Sequence, residues 1–483
     1  MKIGVMDKTG AQMVEKEDKK HNDEDSCSEK DIWTNFTQTT GFHGLNKITF
    51  ERQNPRQLIR SICWIIVWLT CAVFLIYTVI VELKNYYSYP TISNTYIQLE
   101  EKLSFPAVTI CNMSPRSSEG MKKDVKTNNL YMTTSALYMF SQKINWTDPF
   151  YKEEGYFEEK TKEDIFNHSK NISESVFLSL FDNVQLKDAF SPVYTDMGLC
   201  LRFNSDGSQY TAMYGAIFNL QLYVNVMTYF DYFSHSLSSG VKIAVHDHRE
   251  EPIMTNEGLV IKPASEAFIE IRRKDYKFLP APFTAFGNKT CVNKPDYSSS
   301  KCYQACWNDI IQHKCGCTDF LSKGNGPYCS YHDYQTCSNP TFWHLLLTYH
   351  KETCDCPKVC QYTTYDYSFS TGTYPSEFFV SQISAISGFP EWLIRTNFAL
   401  IRIYFKDLSI TINEQVAKYE NTGDIFANLG GQLGLFLGAS ILTITELLEF
   451  IIFLIWSFIH RVKNRGRDEQ RKTHVEKFKQ TKY

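Results

Sequence analysis

A glycine-rich stretch near the C-terminus combines small residues with carboxylates inside an apolar run. Gly430, Gly434 and Gly438 recur every four residues, so on a helix they form one stripe without side chains. Such a stripe lets backbones approach closely, or lets the helix break. Glu446 and Glu449 follow in the same run, where ionisable groups usually face a water-filled path. The pattern therefore indicates an ion pathway.

Two apolar runs are long enough to cross a bilayer. Residues 61–81 form 21 positions without a charge, and about 20 residues span a hydrocarbon core. This run is too long for a signal-peptide core, so we interpret it as a first transmembrane helix that also acts as the insertion signal. Residues 425–459 would extend about 50 Å as one helix. The second helix must therefore tilt, break at its glycines or project beyond the membrane.

The charges beside the two runs orient the chain. Basic residues precede the first run and follow the second, at Lys47, Arg52, Arg56, Arg60, Arg461, Lys463, Arg465 and Arg467. By the positive-inside rule, both termini are cytoplasmic and the chain is a multi-pass protein of the plasma membrane. The alternative is a basic patch for nuclear import or RNA, which the membrane span directly before it disfavours. A net charge of −3 also argues against nucleic acid as the partner.

The runs and flanks divide the chain into five parts. We expect a cytoplasmic N-terminus at 1–60, a transmembrane helix at 61–81, an extracellular domain at 82–424, a second transmembrane helix with the pore at 425–459, and a cytoplasmic C-terminus at 460–483. Within the extracellular domain, residues 240–246, 267–271 and 398–412 alternate as strands do, and residues 131–140 and 342–350 have a helical pattern. The expected fold is a large disulfide-rich α+β domain on two membrane helices.

The cysteines support an oxidising compartment for this domain. Of 15 cysteines, 12 lie between residues 111 and 360, and Cys27, Cys63 and Cys71 lie outside. An even number crowded into one compartment favours disulfides over the alternative of a zinc site. Sequons for N-glycosylation occur in the same domain at Asn112, Asn145, Asn167, Asn171 and Asn288.

No arrangement of residues predicts catalysis. The sequence contains no HExxH motif, no phosphate-binding loop and no Ser-His-Asp spacing typical of a hydrolase. His246 and His248 flank Asp247, but a solvated turn is favoured over a metal site there. We therefore expect no enzyme activity, no cofactor and no bound metal.

Several motifs occur in the order that a known family has them. Phe36, Thr40, His43 and Gly44 resemble its pre-membrane His-Gly motif, and residues 105–112, Phe-Pro-Ala-Val-Thr-Ile-Cys-Asn, resemble its signature after the first span. Residues 195–204, the cysteine block and residues 430–449 complete the set. On these motifs the chain is identified as a member of the degenerin, epithelial sodium channel and acid-sensing channel family, over about residues 36–460.

The resemblance implies a trimeric, amiloride-sensitive sodium channel built from identical or homologous subunits in the lipid bilayer. It implies a selectivity filter at Gly438, Ala439 and Ser440, where the second helix is interrupted, and a gating role for His43 and Gly44. Carbonyls or the Ser440 hydroxyl would replace the hydration water of a cation. The family's disulfide pairing implies Cys111–Cys200, Cys291–Cys360, Cys302–Cys356, Cys306–Cys354, Cys315–Cys337 and Cys317–Cys329.

The opening stimulus separates this chain from the acid-sensing pattern. Acid-sensing members place paired carboxylates between two parts of the extracellular domain that are called thumb and finger. There the like charges raise the pKa of the carboxyl groups. Here Asn339 and Trp343 occupy the corresponding positions. We therefore expect opening by an extracellular neuropeptide of RFamide type, as in invertebrate and particularly cnidarian members, with cation–π and charge contacts to the peptide. The alternatives are a proton-gated channel, a constitutively open channel and, outside the family, a two-span surface receptor.

Two residues are expected at the outer mouth of the pore. Three copies of Asp424 in a trimer would raise the local concentration of cations and favour divalent ions, so we expect calcium permeation or calcium block. Asn428 occupies a position where the family often has an acidic residue. Glu446 and Glu449 are expected to face the inner pore or to pair with basic groups of a neighbouring subunit.

Overall fold

The structure is a computed structural model that describes residues 29–48, 55–114, 117–119, 170, 172–231, 238–295, 297–319, 327–348, 354–440 and 442–459. It divides into two compact units: Met1–Pro90 with Lys418–Tyr483, and Thr91–Ala417. Several predicted features lie outside the described residues: Cys27, the sequons at Asn145, Asn167 and Asn171, the helix at 131–140, and the C-terminal part at 460–483.

Helices occur in both units. In chain order they are α1 (Glu29–Thr39), α2 (Pro55–Tyr87), α3 (Ile172–Ser175), α4 (Ser299–Cys315), α5 (Tyr331–Asp333), α6 (Asn339–Thr348), α7 (Glu377–Ser387), α8 (Glu391–Asn397), α9 (Thr422–Leu437) and α10 (Leu442–Ile459). A π-turn at Tyr334–Ser338 joins α5 to α6. Short 3-10 helices lie at Leu45–Lys47 and Thr228–Phe230.

All the described strands belong to the second unit. They are β1 (Thr91–Leu99), β2 (Leu103–Ser104), β3 (Ala107–Asn112), β4 (Val176–Phe181), β5 (Val184–Gln185), β6 (Phe190–Thr195), β7 (Gly198–Phe203), β8 (Tyr210–Thr211), β9 (Leu220–Asn225), β10 (Val241–His246), β11 (Leu259–Ile261), β12 (Ser265–Lys277), β13 (Gln361–Thr373) and β14 (Phe398–Ala417). The alternating runs at 240–246, 267–271 and 398–412 fall on β10, β12 and β14, which confirms these three predictions.

Two sheets enclose the main core of the second unit. One sheet has the order β13-β12-β14-β9-β4-β5, with β1 added to β14, and the other has the order β11-β10-β3-β7-β6. β12 and β14 run parallel, and the other pairings among the described strands are antiparallel. Phe105, Phe203 and Phe405 are fully buried in this core, with ring centroids 5.7–6.1 Å from Phe105. The α+β class is therefore confirmed.

Six disulfides staple the second unit, and their pairs are those that the resemblance implied: Cys111–Cys200, Cys291–Cys360, Cys302–Cys356, Cys306–Cys354, Cys315–Cys337 and Cys317–Cys329. Because every one of these cysteines is paired with another, the alternative of a zinc site is excluded for them. Cys315–Cys337 ties the end of α4 to the π-turn before α6, so the disulfides hold the helices that the sheets do not.

The first unit contains the helices that can cross a membrane. α2 and α10 are long and apolar enough by length and composition, and their side chains are mostly exposed in a single chain. α2 has 33 residues and extends beyond the predicted 61–81 at both ends. Its start at Pro55 suits the first helical turn, where the missing N–H would have no partner. The second predicted span consists of two helices, α9 and α10. Of the three alternatives for this long run, a tilt, a break at the glycines or a projection beyond the membrane, the structure contains the break.

Candidate ion pathway

The helix break at residues 438–440 has a defined backbone geometry. Gly438 has φ +64°, the left-handed conformation that ends a helix, and its N–H donates to the Gly434 carbonyl at 3.0 Å. The Ala439 N–H donates to the Leu433 carbonyl at 3.3 Å. Beyond the break, the Ser440 N–H donates to Thr443 Oγ1 at 3.1 Å and the Thr443 N–H donates to Ser440 Oγ at 3.4 Å. Each helix end is therefore capped on its own side of the break.

Such a break can attract a cation. The last carbonyls of a helix have no partner within the helix, and the end of its dipole is negative. α9 ends at Leu437, immediately before residues 438–440, and the Leu433, Gly434 and Leu437 carbonyls accept the N–H groups of Ala439, Gly438 and His43. These residues are also small. In the single chain Ser440 is exposed, whereas Ala439 is buried beside Leu75. The chemistry fits a filter in which carbonyl and hydroxyl oxygens replace water around a cation.

The loop with His43 and Gly44 lies directly against this break. The His43 N–H donates to the Leu437 carbonyl at 3.0 Å. A Cβ atom added to Gly438 would lie 2.0 Å from His43 Nδ1, so the imidazole fills the space that a side chain would need. Gly44 has φ +89° and faces the ring of Trp64 on α2, 3.1 Å from where a Cβ would stand. The structure thus brings together two motifs that are almost four hundred residues apart in sequence.

Glu446 anchors the same loop from the other side of the break. Its Oε2 accepts the Gly41 N–H at 2.8 Å. A Cβ atom at Gly41 would lie 2.6 Å from Thr443 Oγ1, so glycine allows this close approach. Because His43 binds the end of α9 and Gly41 binds α10, the loop bridges both halves of the broken helix. Glu449 lies one turn further along α10 and is exposed in the single chain.

Aromatic side chains extend this contact. Phe36 on α1 stacks on Phe450 of α10 with centroids 4.3 Å apart, and Trp33 meets the same ring at 5.9 Å. α1 therefore runs beside α10 and holds the start of the loop. On the opposite side, α2 packs on the end of α9 through a small buried cluster of Leu75, Leu437 and Ala439.

The two outer residues have structural contacts that the sequence did not predict. Asp424 forms a capping box with Asn421, and its Oδ2 accepts the backbone N–H groups of Glu420 and Asn421 at 2.9 and 3.3 Å. Asn428 Nδ2 donates to Glu82 Oε1 at 3.1 Å. From the sequence, Glu82 was only the first residue of the predicted extracellular domain. Its position as the first carboxylate after an apolar run was the one feature that could have marked it as a contact for the second helix.

The second unit differs from the paired-carboxylate pattern at α6. Asn339 begins α6 and Trp343, one turn later, is 40% exposed. Glu250, a carboxylate of the same unit, binds the start of α4, where its Oε2 accepts the hydroxyls of Ser298 and Ser300 at 2.6 Å each. Its partners there are neutral hydroxyl groups and not a second carboxylate.

His246 has a defined tautomer. The Asp247 carbonyl can only accept, so His246 Nδ1 carries the proton and donates to it at 2.8 Å. Nε2 of the neutral ring then accepts from the Thr109 hydroxyl at 2.8 Å, and Thr109 Oγ1 accepts from Arg202 Nε at 3.2 Å. Burial, with the nearby Arg202 charge adding to it, lowers the pKa of His246 to about 4. In the part of the chain that the structure describes, no group of three or more His, Cys, Asp or Glu side chains could hold a metal ion.

The structure argues against one predicted glycan. Asn112 is 2% exposed, and its Nδ2 donates to the Val226 carbonyl at 2.8 Å. Its Oδ1 accepts from the Ser114 N–H and from Lys170, which also contacts Asp231. A glycan would need the amide nitrogen and the space around it, so this geometry disfavours a glycan at Asn112. Asn288 is exposed and stays a candidate.

The chain is similar to known ion channels over most of its length. The model of the amiloride-sensitive sodium channel family matches residues 36–450. The chain is 27% identical to the bile acid-sensitive ion channel of Homo sapiens, over 86% of this chain and 85% of that protein. It is 26% identical to acid-sensing ion channel 1A of Danio rerio, over 89% of each. It is 26% identical to acid-sensing ion channel 2 of Homo sapiens, over 90% of this chain and 88% of that protein.

The matched region contains nearly every residue discussed above. It begins at Phe36, which stacks on α10, and ends at Phe450, the ring on which Phe36 stacks. Members of this family form homo- or heteromeric trimers, conduct sodium and lie in the plasma membrane with two spans per subunit. Because the family model covers α2, all the described strands, α9 and the first half of α10, the chain belongs to the amiloride-sensitive sodium channel family and is an ion channel subunit, not an enzyme.

Proposed function

We propose that this subunit forms a sodium channel whose filter is Gly438, Ala439 and Ser440, and which opens when an extracellular amidated peptide of RFamide type binds. Both termini would lie in the cytoplasm and the unit Thr91–Ala417 outside the cell. The filter assignment is supported by the capped break between α9 and α10 and by the His43 loop packed against it.

The observation that carries peptide gating is the uncharged surface of α6. With Asn339 and Trp343 in place of two acids, this helix offers an amide and an exposed indole. An indole ring binds a cationic group such as the arginine of an RFamide peptide by a cation–π contact. Glu250 is held by two serine hydroxyls, so it adds negative charge near α4 without forming a proton-sharing pair.

Opening by acid is the second candidate, and one carboxylate favours it. Asp196 accepts the backbone N–H groups of Met254 and Thr255 at 2.8 and 2.7 Å, and its burial raises its pKa. Protonation would weaken both contacts in the acid range. His246 does not support this candidate, because its pKa of about 4 keeps it neutral through mild acidification.

Recordings from cells that express the chain test the proposal. Sodium currents would be measured during application of an amidated RF peptide, then mild acid, then a conjugated bile acid, each with and without amiloride. We expect an amiloride-sensitive current with the peptide, reduced when Trp343→Ala removes the indole. A current with acid alone, lost in Asp196→Asn, would support the second candidate, and a current with bile acid alone would overturn both. A standing current without any stimulus would indicate a constitutively open channel.

Calcium permeation or block is the remaining part of the proposal. Asp424 is a carboxylate residue near the start of α9, and three subunits would place three such groups around one axis. Asp424→Asn is a clean test because the amide oxygen of asparagine can still cap the helix while the charge is lost. We expect calcium block and calcium current both to fall in this variant. Unchanged calcium sensitivity would leave Asp424 with its capping role alone.

A further inference from the structure

Glu82 connects the outer ends of the two membrane helices through a single oxygen atom. Its Oε1 accepts the Tyr419 hydroxyl at 2.7 Å and Asn428 Nδ2 at 3.1 Å. Glu82 lies near the end of α2, Tyr419 lies just before α9, and Asn428 lies in the second turn of α9. One carboxylate therefore holds α9 at two points along the chain.

Ring contacts hold Tyr419 in the orientation that this link needs. The Tyr86 ring meets the Tyr419 ring edge-on at 5.6 Å, and the Lys418 ammonium lies 5.2 Å from the same ring. The Lys418 N–H also donates to the Pro90 carbonyl at 2.9 Å. Because these contacts restrict the orientation of the Tyr419 ring, they keep its hydroxyl directed at Glu82.

The chemistry of Asn428 matches Glu82. An ionised carboxylate only accepts hydrogen bonds, and the amide nitrogen of asparagine only donates them. An aspartate at 428 would place a second acceptor and a like charge at hydrogen-bonding distance from Glu82. Asparagine at 428 can therefore donate a hydrogen bond to Glu82, whereas an aspartate of the same size could not.

We propose that Glu82 is a positioning residue for the pore: through Tyr419 and Asn428 it sets the position of the outer half of α9 against α2, and thereby the balance between conducting and non-conducting states. A rotation or tilt of α9 relative to α2 would move both donors away from one acceptor, so both bonds would be lost together. Hydrogen bonds to a charged group are the stronger kind, which makes this link a large restraint for its size. The inference rests on the channel function but not on the identity of the stimulus.

A charge-exchange experiment tests the link. Asn428→Asp alone should shift the standing or stimulus-evoked amiloride-sensitive current, at equal surface expression, by at least about fivefold, as should Glu82→Ala. Combining Glu82→Gln with Asn428→Asp exchanges donor and acceptor, because the glutamine amide donates to the new carboxylate while its oxygen still accepts from Tyr419. The double variant should return to within about twofold of the original current. The matched control is Glu101→Ala, which removes an exposed carboxylate elsewhere.

A second measurement does not depend on current. Ala427 is exposed beside Asn428, so Ala427→Cys on the cell surface can be labelled by a charged, impermeant thiol reagent. We expect Glu82→Ala to change the labelling rate and Glu101→Ala to leave it unchanged. If Glu82→Ala alters neither labelling nor current, the link is only a local contact and the proposal is overturned. If labelling changes while no variant conducts, the link stands and the proposed channel stimulus fails.

Discussion

At the scale of single residues, the pathway depends on side chains that are missing as much as on those present. Gly438 supplies the left-handed turn that ends α9, and the imidazole of His43 occupies the place of its absent Cβ. Gly430 belongs to the same stripe but has open space at its Cβ position. The glycines of the stripe therefore have different roles. An added methyl group would clash with His43 at Gly438 but would meet open space at Gly430.

Alanine substitutions along the stripe make the first prediction. Gly438→Ala places a Cβ atom 2.0 Å from His43 Nδ1 and adds the strain of a left-handed alanine, on the order of 1–2 kcal/mol. We expect the amiloride-sensitive current to fall by about tenfold or more, with altered sodium-to-potassium preference from reversal potentials. Gly430→Ala is the matched control and should conduct normally. Equal behaviour of the two variants would contradict the role given to Gly438.

The loop anchor at Glu446 is a second residue-scale prediction. Glu446→Ala removes the acceptor of the Gly41 N–H, whereas Glu446→Gln keeps an acceptor oxygen and removes only the charge. If anchoring is the main role, the current should fall strongly in the alanine variant and be largely retained in the glutamine variant. If the current falls equally in both variants and the ion preference changes with it, the charge of Glu446 itself faces the ions. Glu449→Gln, on the exposed turn, shows whether the inner pore depends on charge at all.

At the scale of elements, the sequence predicted what depends on local pattern. β10, β12 and β14 follow from alternation, and the glycines marked the place where the second span breaks. The contact of Gly41 with Glu446 could not be predicted, because it joins residues 405 positions apart through a backbone donor of no distinctive type. The Glu82 link was missed for the same reason: two ordinary hydrogen bonds become meaningful only when α2 and α9 lie side by side.

The sheet of β3, β7 and β10 carries a pH prediction. His246 on β10 has a pKa lowered to about 4 from 6.5, so below pH 6.5 the unfolded chain takes up a proton that the folded chain does not. The free energy of unfolding should therefore fall by up to about 3 kcal/mol as the pH drops from about 6.5 to about 4. Titration of His246 should not change it above or below these values. Thermal unfolding of the purified protein in detergent against pH would measure this.

Two histidine variants isolate the source of that pH dependence. His246→Gln keeps an oxygen that can accept from the Thr109 hydroxyl but cannot take up a proton, so the loss of stability between these pH values should shrink. His313→Gln changes an exposed histidine, with a side chain 82% accessible, and should leave the pH profile as it is. A profile that is unchanged in His246→Gln would assign the acid sensitivity to groups other than His246. Asp196 is not one of them, because a raised pKa stabilises the folded chain as the pH falls.

At the scale of the whole molecule, the two units have different sources of stability. The unit Thr91–Ala417 has a core between two sheets and six disulfides, so it requires an oxidising compartment. The other unit consists of helices with mostly exposed apolar side chains, which suit a bilayer and neighbouring subunits. We therefore expect the unit Thr91–Ala417 on the oxidising side of the membrane, where disulfides form.

Glycosylation measures that topology, and the two described sequons of the second unit give opposite expectations. Asn288 is exposed next to a turn, and Thr290→Ala removes its sequon without altering the asparagine. Ser114→Ala removes the sequon at Asn112 and leaves the backbone N–H that Asn112 Oδ1 accepts. We expect Thr290→Ala to remove one glycosidase-sensitive band shift on a gel and Ser114→Ala to remove none, because a buried amide that already donates to Val226 cannot carry a sugar. Loss of a glycan in Ser114→Ala would mean that Asn112 is modified before this sheet closes, and absence of a glycan at Asn288 would remove this support for an extracellular second unit.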